Sequence, residues 1–185
     1  MKTRLIAAFA GGALMILTVP ALAPAASGDS AMSGSNSLLN RAHQMNEEEE
    51  DMASMLNSKA GDNQALMTMA TTMKDDHEAN DSAVKALAKQ TNVDLQSYHP
   101  NKALKDRLDN LKGAAFNQAF LDSQLKDHKR ALHEFEEAKS QPQSRDMKVY
   151  IDQTIPVLRS HMQMVENMRH DMMTEGSPEN PANNK

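Results

Sequence analysis

The chain has 185 residues, a formal net charge of −5 and no cysteine, which leaves room for one domain and excludes a disulfide scaffold, a thiolate metal site and a lipidated-cysteine anchor. Aromatic residues make up 3% of it and no basic stripe surrounds them, so there is little electrostatic reason to bind nucleic acid.

Residues 1–25 have the layout of a secretory signal peptide: Lys2 and Arg4, an apolar run from Leu5 to Val19, then small residues. Cleavage is expected after Ala25, in Ala23-Pro24-Ala25, because a cut after Ala23 would leave Pro24 next to the break. The mature chain then has no transmembrane span and carries −7, since Lys2 and Arg4 leave with the signal, and a periplasmic location follows. Residues 26–36 are Ser/Gly-rich and read as a flexible linker. Residues 174–185 hold two prolines and almost nothing apolar, and read as a disordered tail.

Between them, residues 37–173 are helical in character, with no β-branched runs and few glycines or prolines to divide them. A first helix is expected from about Ser37 to Lys59, stopped by Ala60-Gly61, and a second from Asp62 or Asn63 to about Gln90. A long connection follows, with a short amphipathic helix over 101–112 built on Leu104, Leu108 and Leu111. The third long helix spans Ala114 to Lys139 and the fourth Ser144 to about Met173, with Pro156 expected to kink or bulge it. Four long amphipathic helices with the long connection in the middle describe an all-α, ferritin-like four-helix bundle.

The apolar stripes carry polar residues near mid-helix. His77 interrupts Leu66, Met69, Met73, Val84 and Leu87; His128 falls between Leu125 and Leu132; His161 follows Ile155 and Leu158; Glu49 falls between Met45 and Met52. Helices of similar length packed side by side bring their midpoints to one level, so Glu49, His77, His128 and His161 should share a central layer. Imidazoles with a carboxylate are ligands for zinc, copper or iron, and a bundle core is a usual place for them. Glu48 is the substitute for Glu49 within the run Glu47 to Glu50. Asp76 and Asp127, each just before one of these histidines, are candidates to hydrogen-bond the ligands. The alternative is a metal-free envelope interaction or stress protein whose core histidines form a network that fixes register or responds to pH. A third possibility is a Cu(I) or Ag(I) site at Met162, Met164, Met168 and Met172, although methionine is also an adaptable core filler. His43, His99, His133 and His170 read as surface or loop residues without a role.

No catalytic signature emerges. A di-iron bundle needs Glu-x-x-His on two helices, but Lys74, Leu125 and Leu158 stand three residues before the histidines. No nucleophile or phosphate-loop motif is present, so a non-enzymatic protein is expected. Partner and oligomeric state are not readable.

The blocks "MKDDHEAND", "LKGAAFNQAFLDSQLKDHKRALHEFEEA" and "TIPVLRSHMQMVENM" resemble the domain-of-unknown-function 4142 family over Leu38 to Met168. These are bacterial envelope proteins, often labelled putative outer membrane proteins and grouped with ferritin-like folds. The resemblance implies a ferritin-like envelope protein and puts His77, His128 and His161 on the family's histidine positions, in "DDH", "KDH" and "LRSH". Ile155-Pro156 stands where the family has Leu-Pro, and the run Glu47 to Glu50 leaves the family's helix-one glutamate ambiguous. With no β-barrel strands or second apolar span in the sequence, the expectation is a soluble periplasmic protein.

Overall fold

The computed structural model describes residues 29–61 and 63–175, and the expected signal peptide and the tail beyond residue 175 lie outside them. Five helices make up the described chain: α1 (Asp29–Lys59), α2 (Gln64–Thr91), α3 (Lys102–Asp109), α4 (Gly113–Ser140) and α5 (Arg145–Glu175). No strand occurs among the described residues.

The helix limits follow local chemistry. Asn63 caps α2 by accepting from the Leu66 amide at 3.1 Å, and Asn101 caps α3 by accepting from Leu104 at 3.2 Å. Gly61 takes a left-handed φ of 59° after α1, the conformation glycine adopts without steric cost. Pro156 lies inside α5 on an exposed position and the helix continues through it. The carbonyl that loses its partner belongs to Asp152, on the same exposed side.

One expectation fails at the start of α1. Residues 29–36, read from their Ser/Gly content as linker, are helical, so α1 begins at Asp29 instead of Ser37. Low intrinsic propensity is overridden here by tertiary contact. Leu38 and Leu39 are fully buried, and the Ser35 hydroxyl donates to Gln143 Oε1 at 2.8 Å, next to the α4–α5 turn.

Each long helix packs on two neighbours, in the cyclic order α1, α2, α5, α4. Two apolar clusters stack along the bundle axis. One contains Met52, Leu56, Leu66, Met73, Phe116, Phe120 and Val165. The other contains Leu38, Val84, Leu87, Phe135, Tyr150 and Ile151. The order in which each helix visits them makes all neighbouring helices antiparallel, with α2 parallel to α4. Segment 92–112 must therefore return the length of α2, 28 residues or about 42 Å.

That return is tied to α1. Gln44 Nε2 donates to the carbonyls of Gln96 and Ser97, Asn40 Oδ1 accepts from the Gln96 amide at 2.7 Å, and the Tyr98 hydroxyl donates to Asp51. Lys59 Nζ donates to the carbonyls of Leu108 and Asp109 at the end of α3 and lies 5.1 Å from the Phe116 ring centre. Between the two clusters runs a buried polar layer of Asn46, Glu49, His77, Asp81, Gln124, His128, Thr154 and His161. The equal-height expectation for mid-helix histidines is met by that layer.

Candidate metal centre

His77 on α2, His128 on α4 and His161 on α5 are each no more than 2% exposed, and their ring centres lie 5.1–5.5 Å apart. Each ring offers a nitrogen within 4.8 Å of the other two. Which nitrogen carries the proton follows from what the other side of each ring touches.

For His128 the answer is direct. Nδ1 lies 3.0 Å from the Gln124 carbonyl, which only accepts, so Nδ1 is protonated and Nε2 holds the lone pair. For His77 it follows from a chain of polar groups. The Thr154 hydroxyl donates to the Tyr150 carbonyl at 2.9 Å, so its oxygen accepts from Asn80 Nδ2. Asn80 Oδ1 then accepts from the Tyr150 hydroxyl and from Asn46 Nδ2. That fixes Asn46 Oδ1 as the acceptor facing His77 Nδ1 at 2.9 Å. His77 Nε2 is left with its lone pair, buried and without a hydrogen-bond partner. His161 Nε2 donates to Asp76 Oδ2 at 2.9 Å, and its Nδ1 lies 3.2 Å from His128 Nε2.

Three nitrogens therefore converge: His77 Nε2, His128 Nε2 and His161 Nδ1. With His161 neutral, two lone pairs face each other at 3.2 Å. Only a shared proton or a cation relieves that. Leaving a buried acceptor unpaired costs about 1–3 kcal/mol, and a metal ion would satisfy all three at once. Imidazole is a ligand for zinc, copper and iron alike.

The profile of one family, described as a domain of unknown function (DUF4142), matches residues 20–168. The chain belongs to that family. Neither a curated protein nor a solved structure matches it.

In this DUF4142 chain burial, more than the charges around the rings, favours the neutral forms. Burial drives the His77 imidazolium well below its usual range, helped by His161 and then His128. Burial, then His161, lowers His128 to about 3, while the Gln124 carbonyl opposes the shift. Glu49 is the buried member of its acidic run at 4% exposure, and Glu48 is half-buried. Burial pushes the Glu49 carboxyl up to about 8, opposed mainly by a hydrogen bond from Gln124. Glu49 shares the layer, yet its oxygen lies 3.8 Å from His128 Nδ1, on the side of that ring facing away from the converging nitrogens. The two aspartates divide. Asp76 holds His161, whereas Asp127 pairs with Arg130 at 3.0 Å.

The four candidate methionines of α5 do not all share one face. Met164, Met168 and Met172 pack against the first apolar cluster, Met162 is half-buried and Met173 is exposed.

Sequence reasoning missed a second group. His43, given no role, is 7% exposed, and its Nδ1 lies 2.7 Å from Asp81 Oδ1. His43, Glu47 and Asp81 also meet metal-ligand spacing, but Lys85 Nζ lies 2.5 Å from Asp81 and 3.2 Å from Glu47. A tethered ammonium holds the cation position. The signal for Asp81 was the seven-residue gap between His77 and Val84 on the α2 stripe, which a helix bridges only with a further inward residue. His99, His133 and His170 are exposed as expected.

Proposed function

We propose that this protein is a secreted, periplasmic helical bundle that binds one transition-metal ion through His77 Nε2, His128 Nε2 and His161 Nδ1. The observation that carries the reading is the buried His77 Nε2, without a partner and held in that tautomer by the Asn46–Asn80 chain. Asp76 orients His161 as carboxylates orient metal-bound histidines. The basic and apolar opening of the sequence supports export. Among the described residues no helix is long and apolar enough to cross a membrane. The role is non-catalytic, in keeping with the lack of a nucleophile, phosphate loop or di-iron motif.

A second reading is favoured by the 3.2 Å contact between His128 and His161. Here a proton takes the place of the metal, and the layer is a polar network that sets helix register.

The test is metal content by mass spectrometry of untagged protein, beside a His77→Ala/His128→Ala variant. Near-stoichiometric zinc, copper or iron, lost in the variant, is the expected result. Protein that stays metal-free after incubation with each ion favours the proton network.

A further inference from the structure

We propose that the three-histidine centre takes a monovalent soft ion, Cu(I), and that methionines on one side of the layer conduct it there. This rests on the metal reading above and names the ion class.

The donor set argues first. The three converging nitrogens belong to imidazoles, and no carboxylate oxygen joins them. Glu49 lies behind His128 and Asp76 acts only through His161. The cost of moving an ion out of water scales with the square of its charge, so a divalent ion pays about four times what a monovalent one pays. A pocket without an anionic ligand therefore costs a divalent ion more to enter, but three neutral histidines and a water also hold zinc, so it is the soft thioethers beside the layer that favour Cu(I). Cu(I) accepts three-fold nitrogen coordination, with thioethers as additional soft ligands.

Methionine placement argues second. Met52, Met69 and Met73 are buried in the apolar cluster on one side of the layer, and Met164, Met168 and Met172 are partly buried against it. In the opposite cluster, among the described residues, Met147 is buried and Met45 is partly buried against it. Met73 lies one turn before His77, and Met164 about one turn after His161. The antiparallel run of α2 and α5 puts both on the same side of the histidines. Met164, Met168 and Met172 continue at four-residue spacing toward the end of α5, forming a half-covered line of thioethers from the bundle end to the centre. Core filling accounts for methionine on either side. A soft-ion path accounts for its concentration on one.

The test is an anaerobic titration of the full chain with Cu(I) against a chromophoric Cu(I) chelator, beside a Zn(II) titration against a zinc indicator. The same titrations are run on His77→Ala and on a Met164→Leu/Met168→Leu/Met172→Leu variant, which keeps core volume. One equivalent of Cu(I), bound more than about ten-fold tighter than Zn(II), is expected, and it should be lost in His77→Ala. The leucine variant should bind the same equivalent but load several-fold more slowly in stopped flow. Zinc bound as tightly as Cu(I) through the same histidines would overturn the ion assignment and leave the metal reading intact. Absence of binding by either ion would overturn both. Unchanged loading in the leucine variant would overturn the conducting role, and Cu(I) retained in His77→Ala would move the site away from the histidines.

Discussion

Two histidine clusters in this bundle meet the same metal-ligand spacing, and they differ in what already satisfies them. At His43 every charge has a partner: the ring faces Asp81, and Lys85 spans Asp81 and Glu47. At His77, His128 and His161 the outer nitrogens are all held by acceptors, and the inner ones face one another without a donor among the side chains. Spacing alone does not make a metal site. What separates the two is whether the chain supplies its own cation.

The largest expected effect breaks that comparison by substitution. His161→Ala should abolish metal binding, measured by competition titration, whereas His43→Ala should leave it unchanged. His43→Ala should instead cost about 1–3 kcal/mol in urea unfolding, because Asp81 loses a buried partner. Equal loss of metal in both variants would erase the distinction.

Next in size is the pair of aspartates. Asp76→Asn should weaken metal binding about 10–100-fold, since the group orienting His161 loses its charge. Asp127→Asn, altering a residue paired with Arg130, should leave the affinity as it was.

Stability against pH should separate the neutral centre from a fully paired one. His77 and His128 are held below the free value of 6.5, so the unfolded chain binds the extra protons. Their contribution is present above about pH 6.5 and is lost as pH falls toward about 3 for His128, by up to ~1.4 kcal/mol per unit for each ring. Glu49 is raised from 4.5 to about 8. Its contribution is present below 4.5 and is lost as pH rises from 4.5 to about 8. Between 4.5 and 6.5 two rings gain while one carboxyl loses, and above 6.5 the carboxyl loss remains. Metal-free protein should thus be most stable near pH 6.5 in urea unfolding, and Glu49→Gln should flatten the alkaline side. A steady rise through neutral pH would contradict the buried, protonated Glu49.

The smallest effect is at Lys85, whose side chain is over half exposed. Lys85→Ala should change stability by less than ~1 kcal/mol and should let a second, weaker zinc equivalent bind at His43, Glu47 and Asp81. Zinc held at a single equivalent in this variant would mean that the tethered ammonium is not what keeps the cluster closed.

Much of this was legible in the sequence because helix periodicity is a strong signal. Four long stripes, each interrupted at mid-length, bring His77, His128, His161 and Glu49 to one level. Orientation within the layer was not legible. Glu49 was expected to join the histidines, but periodicity fixes the face of a helix and not the side of a ring that a carboxylate reaches. His43 and Asp81 were passed over because a mutually paired histidine and aspartate leave no gap in composition, only a missing step on the α2 stripe. The chain that sets the His77 tautomer runs through Asn80 and Thr154 on two helices far apart in sequence, which no local pattern encodes. The start of α1 was misread for a related reason, since Ser and Gly content reports propensity and not the docking of Ser35 on Gln143.

The most direct test of the central claim is long-range proton–nitrogen NMR of the histidine rings, recorded before and after one equivalent of Cu(I) and, separately, of Zn(II). The expected result is that His77 Nε2, His128 Nε2 and His161 Nδ1 shift together with at least one of these ions, while His77 Nδ1, His128 Nδ1 and His161 Nε2 stay protonated. Shifts confined to His43 or the exposed histidines, or no shift with either ion, would contradict it.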